Sequence, residues 1–581
     1  MRSPFLPLIF ASLLTLVSSS CQRSDETVAV ILGTTDIHGT FFPFDFINNE
    51  EASYSLASVA TYVKEVRNEG FNTVLLDNGD ILQGQPEVYY YNFIDTVSPH
   101  LCAEMMNLIG YDAATAGNHD IEAGHQVYDR ITREYNFPML AANAVSTATG
   151  EPYFKPYAII KRGKLKIAVL GLITPSVPTW IPPVLYSGMK FENMTETAAI
   201  WMEEIKSRKP DIIIGLFHSG WDDDAEAPLP GNSSNAVVYN VPGFDVVFTG
   251  HDHSRMNSKI VNIAGDTVVV INAGSRAANI ARVDVIKVSN RSEGDPRFRF
   301  EGTLVETETI AADPEFVETF SPQFNEVSEF VTRKIALAPE EISSRDAVFG
   351  PSGFTSMIHT VQIDLTGADI SFAAPLSFDV SIGPGQVTVA DMFKLYRYEN
   401  MLYTMNLTGN EIDGFLEHSC SGWFNTYSPA DRYILNYRKD DQGKPVITGG
   451  KARLSQPVYN FDSAAGIDYT VDVMKEAGNR VEILRLSDGR KFHADSIYSV
   501  AINSYRGSGG GGHIRFGARL SPEEALVRLV KSTERDLRFY MIDWIEKRGE
   551  LVPEKHNNWK LVPEWVVTPA IRKEWALIYG E

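Results

Sequence analysis

Cysteine, positive charge and long apolar runs are what this 581-residue sequence has least of. Three cysteines occur, Cys21, Cys102 and Cys420; none falls among the ligand candidates below, so thiolate metal chemistry is excluded. Cys102 and Cys420 lie one in each expected domain and read as two unpaired buried thiols. Lys and Arg number 52 against 74 Asp and Glu, a formal charge of −22. Such a surface repels polyanions, which excludes a nucleic-acid polymer as principal partner and leaves small phosphate esters open. No apolar run beyond residue 17 reaches transmembrane length, so the folded body is expected to be soluble. An apolar fraction of 44% with 22% charged residues excludes disorder and coiled coil, and the length predicts two domains.

At the N-terminus, Met1-Arg2 precedes a short apolar run over 5–17 and then Ser18-Ser19-Ser20-Cys21, the basic, apolar and small-residue parts of an export signal. The run is too short to span a bilayer. The segment resembles a bacterial lipoprotein signal, with Cys21 as the lipidated first residue of the mature chain, although Ser18 stands where the lipobox prefers Leu. The expectation is an exported periplasmic or cell-surface lipoprotein that loses residues 1–20 and touches the membrane only through its anchor.

From Thr27 onward, apolar β-type runs alternate with helical spacings. The run 28–32 ends in Gly33-Thr34-Thr35-Asp36-Ile37-His38-Gly39, and Leu56, Val59, Ala60, Val63 and Val66 then recur at helical spacing before Gly70. The run 74–76 ends in Asn78-Gly79-Asp80, and 113–116 leads into Gly117-Asn118-His119-Asp120. The run 212–217 precedes His218, and 246–249 precedes Gly250-His251-Asp252-His253. Alternation of this kind predicts sheets covered by helices, with ligands gathered at strand ends.

Asp36 and His38, two residues apart between glycines, can turn toward one ion, and Asp80 is a hard donor able to bridge two. Asn118, His218, His251 and His253 complete a mixed oxygen and nitrogen set suited to Mn²⁺, Fe or Zn²⁺ rather than Mg²⁺ or Ca²⁺. Taken singly, each segment reads as a turn, an Asx-capped loop or a core histidine. Five of them in order, each after an apolar run and together holding five of the twelve histidines, point to a metal centre.

That ordered set resembles the calcineurin-like metallophosphoesterases. The rest of the chain narrows the resemblance to the bacterial 5'-nucleotidase and 2',3'-cyclic-nucleotide 2'-phosphodiesterase/3'-nucleotidase family, over about residues 27–520. The resemblance implies an α/β protein: a four-layer α/β/β/α metallophosphoesterase sandwich over 21–335, a linker over 336–347, a smaller α/β nucleotide-binding domain over 348–525 and a C-terminal extension over 526–581. It implies two divalent metal ions (Mn, Zn or Fe), one held by Asp36, His38, Asp80 and His253 and the other by Asp80, Asn118, His218 and His251, with attack on phosphorus by a hydroxide formed between them. His119 is then the residue left for catalysis, stabilising phosphoryl charge or protonating the leaving group. The family places an Asp three residues after this His; here that position is Glu122, and Asp120 adjoins His119.

In the second domain Tyr396-Arg397-Tyr398-Glu399-Asn400 and Asn503-Ser504-Tyr505-Arg506-Gly507 match the family's nucleotide-binding segments. The match implies a nucleobase held between Tyr398 and Tyr505, with Asn400 as hydrogen-bonding partner and Arg506 beside them. Ala373-Ala374-Pro375-Leu376-Ser377 lacks the phosphate-binding arginine of the 5'-nucleotidases, and Gly511 stands where they carry Asp. Both Tyr-Arg-Gly and Tyr459-Asn460-Phe461-Asp462 lie closer to the cyclic-phosphodiesterase branch. The expected activity is hydrolysis of 2',3'-cyclic nucleotides and 3'-nucleotides; a 5'-nucleotidase or UDP-sugar hydrolase is the alternative, and a non-catalytic nucleotide-binding lipoprotein an alternative of another class. The partner is a small nucleotide, and a monomer is favoured.

Three further stretches carry expectations. Phe316, Phe320, Phe324, Val327 and Val331 recur at helical spacing, divided by a fresh start at Ser321-Pro322, and resemble the family's hinge helix. The glycines 507–512 lack the Lys-Ser/Thr of a P-loop and read as a turn that lets a ligand approach beside Tyr505. Trp544, Trp559, Trp565 and Trp575 mark an aromatic C-terminal stretch expected to pack on the body.

Overall fold

Alternation within the first strand sets the layers. In Glu26–Thr34, Ala29 and Ile31 face one side and Val30 and Leu32 the other, and all four are buried because both faces are covered. The computed structural model describes residues 25–223, 231–289 and 296–580, so the expected signal segment 1–20 and Cys21 lie outside the described residues.

Glu26–Thr34 is central in a six-stranded sheet ordered Phe298–Glu306, Asn279–Lys287, Glu26–Thr34, Thr73–Asp77, Ala113–Thr115 and Met139–Leu140. A second six-stranded sheet runs Arg255–Val261, Thr267–Ala273, Val246–Thr249, Ile212–His218, Leu165–Ile173 and Tyr157–Arg162. Ala29, Ile31, Val74 and Leu76 meet Ile214, Leu216, Val246 and Phe248 between the sheets. Val30, Leu32 and Leu75 lie under helices Leu56–Asn68 and Leu101–Ile109. On the far side, Leu170, Ile213 and Val247 lie under Met194–Ser207 and Ser234–Asn240. This is the four-layer sandwich expected. The strands that carry the candidate ligands are parallel within each sheet, so their carboxyl ends collect along one rim.

The connector is divided as its sequence indicates, into Pro314–Thr319 and Ser321–Thr332, with Phe316, Phe320, Val327 and Val331 buried in the first domain's core. The residues read as a linker are structured: Lys334–Ala338 pairs with Gly385–Thr388 and Ile342–Ser343 with Ser381–Ile382, tying 334–343 to the second domain. That domain holds a five-stranded sheet ordered Ser463–Ala465, Ile370–Ala373, Ile497–Asn503, Met401–Thr408 and Leu529–Asp536. Beside it stands a three-stranded sheet of Val481–Leu486, Ile467–Asp472 and Trp559–Val562.

The last 56 residues, read as an extension, are therefore woven in, supplying one edge strand to each sheet. Trp559 stacks on Tyr469 at 5.7 Å. Helix Glu564–Tyr579 buries Val566, Ala570 and Ile578 in the domain core. Its Glu574 is fully buried and accepts hydrogen bonds from the Ile434 and Leu435 amides and the Tyr437 hydroxyl. Cys102 and Cys420 are free and buried, as expected. Among the described residues no helix is long and apolar enough to cross a membrane.

Across the domain boundary, the Tyr89 hydroxyl donates to Asp536 at 3.0 Å, and the Arg538 guanidinium lies 4.9 Å from the Tyr89 ring centre. Arg538 is itself paired with Glu399 at 3.0 Å.

Candidate active site

Each candidate ligand lies at or just past the carboxyl end of a strand, and at five of the seven the backbone leaves ordinary geometry. Asp36, His38, Asp80, His251 and His253 have φ of 51°, 50°, 57°, 73° and 54°. Left-handed backbone at a side-chain-bearing residue costs about 1–3 kcal/mol and persists where the surroundings enforce it. The loops also touch closely enough to demand glycine between them. A Cβ on Gly117 would lie 2.2 Å from Asp80 Oδ1, and one on Gly250 2.3 Å from Thr35 Oγ1.

The ligand atoms converge in two groups, Asp36, His38 and His253 in one and Asp80, His218 and His251 in the other, each within 4.8 Å. The Nε2 atoms of His38 and His253 are 2.9 Å apart, and His253 Nε2 is 3.4 Å from Asp36 Oδ1. His218 Nε2 lies 3.1 Å from Asp80 Oδ2 and 3.2 Å from Asn118 Oδ1. His38 and His218 use Nδ1 to donate to the carbonyls of Gln83 and Asn78, at 3.1 and 2.6 Å, which aims both Nε2 atoms inward.

Converging imidazole nitrogens and buried carboxylates are what a cation resolves, and the donor set fits two of them. Burial pushes His38 and His251 down to about 4, so both are neutral and able to ligate. Burial works against charge on His218, but Asp80 and Asp36 lift it to about 10, a proton that a bound cation would displace.

His119 is the second residue of the one-turn helix Asn118–Glu122 beside these groups, and its amide donates to Asp80 Oδ1 at 2.8 Å. Its Nδ1 is 2.5 Å from Glu122 Oε2. Burial opposes charge on this imidazole, but Asp80 and Glu122 outweigh it and raise it to about 9. Asp120, the other carboxylate candidate, points elsewhere. It is fully buried and accepts from the amides of Asp80, Ile81, Leu82 and Gly117 at 2.8–3.0 Å, clamping the Asp80 loop to the Gly117 loop. Its side chain holds ligands in place and does not face the cavity.

A cavity of about 440 Å³ joins the two domains here. Asp80, Asn118, His119, Glu122, His251 and His253 line it from one side, and Tyr398, Asn400 and Tyr505 from the other. Arg506 borders it but is 1% exposed, paired with Asp462 at 2.9 Å and donating to the carbonyls of Gly510 and Tyr459 at 2.6 Å. The nearby glycines serve these two side chains: a Cβ on Gly510 would lie 2.5 Å from the Tyr505 ring, and one on Gly511 1.9 Å from Arg506 Nη1. The close approach that sequence assigns to a ligand is made by the protein's own rings and guanidinium.

Three further lining residues were not singled out as contacts by the sequence. Trp180 ends the short helix Val177–Trp180 and lies 5.2 Å from the His251 ring, with no periodicity or motif to mark it. Tyr459 meets Tyr398 edge to face at 6.0 Å; its segment was legible only as a subfamily mark. Asn503 precedes the matched Tyr505 by two residues and also lines the cavity.

Two family models match the chain: calcineurin-like phosphoesterase over residues 29–255 and 5'-nucleotidase, C-terminal domain, over 331–518. The 2',3'-cyclic-nucleotide 2'-phosphodiesterase/3'-nucleotidase of Yersinia enterocolitica is 25% identical, covering 96% of this chain and 92% of that protein. The trifunctional nucleotide phosphoesterase protein YfkN of Bacillus subtilis is also 25% identical over 92% of this chain, which spans 39% of YfkN's length. A Staphylococcus aureus protein solved in complex with alpha-ketoglutarate shares the fold, with a TM-score of 0.74 over 92% of this chain and 99% of that one at 20% identity.

Proposed function

From a chain that belongs to the family joining a calcineurin-like phosphoesterase domain to a 5'-nucleotidase C-terminal domain, we infer a hydrolase of nucleotide phosphates acting on 2',3'-cyclic nucleotides and 3'-nucleotides. The observation that carries this reading is one cavity that brings Asp80, Asn118, His251, His253 and the His119–Glu122 pair together with Tyr398, Tyr459 and Tyr505.

Asp36, His38, Asp80 and His253 would hold one divalent cation, and Asp80, Asn118, His218 and His251 the other; the mixed donors favour Mn²⁺, Fe or Zn²⁺. When bound, the cations supply Lewis acidity toward the phosphoryl oxygens and activation of a water. The residues do the rest. Glu122 orients His119 through Nδ1, so Nε2 carries the proton available to the leaving alkoxide. Tyr398 and Tyr505 take the base, Asn400 reads its edge, and Asp120 and Arg506 position the two halves of the site. The chain is proposed to act as a monomer outside the cytoplasm, anchored through Cys21.

Release of phosphate and nucleoside from 2',3'-cyclic AMP, 3'-AMP, 5'-AMP and UDP-glucose, with Mn²⁺ and with chelator, tests this. Chelator-sensitive turnover of the first two is expected. Turnover confined to the last two moves the chain to the 5'-nucleotidase branch, and no turnover with metals bound supports a nucleotide-binding role.

A further inference from the structure

Beside the His38 loop lies a second cavity of about 220 Å³, lined by none of the proposed metal ligands or base-binding residues. Its lining has an unusual property: Thr40 Oγ1, Gln85 Oε1 and Glu87 Oε2 are buried with no hydrogen-bond partner. Glu87 is 1% exposed and Thr40 8% exposed. A buried carboxylate oxygen left unpaired costs several kcal/mol by the ordinary desolvation scale, of order 1–3 kcal/mol even for a neutral group. Three such oxygens around one space call for a common partner.

We propose that this cavity is a cation site of the hard, oxygen-donor class, taking Ca²⁺ on Glu87, Gln85 and Thr40. The charge agrees. The hairpin formed by Phe44–Asp45 and Glu50–Glu51 brings Asp45, Glu50 and Glu51 to the same lining, four carboxylates with Glu87 against the one guanidinium of Arg276. The donors agree too. Carboxylate, amide and hydroxyl oxygens line the space, and among the described residues no imidazole or thiol does, which selects Ca²⁺ or Mg²⁺ over the metals suited to the histidine-rich centre. Burial pushes the Glu87 carboxyl well above its ordinary range, with Asp45 adding to the shift, so without a cation the group is driven to take a proton instead.

The position gives the site a consequence. The Gln85 amide donates to the His38 carbonyl at 3.2 Å, and the Gln83 carbonyl receives His38 Nδ1. A cation on Gln85 and Glu87 therefore braces the segment that orients a ligand of the other centre.

Calorimetric titration of Ca²⁺ into the full chain, loaded beforehand with two equivalents of Mn²⁺, tests the proposal. One further equivalent should bind, with a Kd in the range of about 0.1–1 mM typical of extracellular modules. Glu87→Gln should weaken it at least about ten-fold while Mn²⁺ content stays at two. Should that variant not fold, Asp45→Asn, on the hairpin, should weaken binding in the same direction. Absence of Ca²⁺ binding to the wild-type chain up to about 5 mM overturns the proposal, as does binding that neither variant changes.

Discussion

The Nδ1 of His119 stands 2.5 Å from Oε2 of Glu122, a single helical turn apart at the edge of the inter-domain cavity. A nucleotide-binding protein has no use for an oriented, charged imidazole beside metal ligands, whereas a phosphoesterase does. His119→Ala should lower kcat by about 10²–10⁴-fold with metal content unchanged, and Glu122→Gln should cost less, because it loosens the imidazole without removing it. Elemental analysis alongside steady-state rates reads both quantities, and full activity in His119→Ala would refute the assigned role.

Metal content should respond in two separable steps. His253 belongs to the group with Asp36 and His38, and His251 to the group with Asp80 and His218. Substitution of His253 by Ala is expected to empty one site and substitution of His251 the other, each leaving about one equivalent bound. Asp80→Ala, which removes the donor assigned to both, should leave neither filled. Retention of two equivalents in the Asp80 variant would break the bridging assignment.

The aromatics predict a split between substrates. Stacking on a ring contributes about 1–3 kcal/mol per base, so Tyr505→Ala should raise KM for 3'-AMP by roughly 5–150-fold. Hydrolysis of a phosphate ester that lacks a base should change little. Equal losses on both substrates would mean that the ring holds the domains together instead of the base.

Glu574 predicts a pH dependence of stability. Burial raises its carboxyl from 4.5 to about 7, so between those values the folded chain keeps a proton that the unfolded chain has released. Stability from this group is present below about pH 4.5 and is lost as pH rises to about 7, on the order of 3 kcal/mol, then stays level. Glu574→Gln should flatten that part of the curve in urea denaturation, and parallel curves for the two proteins would contradict the assignment.

How much of this was readable in advance follows from where each signal sits. The seven ligand candidates could be picked out because each lies within a few residues of the end of an apolar run, and strand ends are where a parallel sheet delivers its side chains. Glu122 was legible at helical spacing from His119. The direction of Asp120 was not, since four amides from two loops decide it and only one of those loops is local. Arg506 and the glycines after it looked like ligand contacts, because sequence cannot tell a charge buried against Asp462 from one facing solvent. Leu529–Asp536 escaped notice because an edge strand with one polar face carries few apolar residues to mark it.

The weaving of the last residues into both sheets of the second domain also orders events in time. The first domain's sheets are completed by Phe298–Glu306 and its core by Ser321–Thr332, so everything it needs has been made when little more than half the chain exists. The base-binding half cannot close until Trp559–Val562 and the helix after it have emerged. During synthesis the chain therefore carries a finished metallophosphoesterase domain while the second domain is still open, and a message truncated near residue 525 would yield a protein that keeps the first but has no completed second domain.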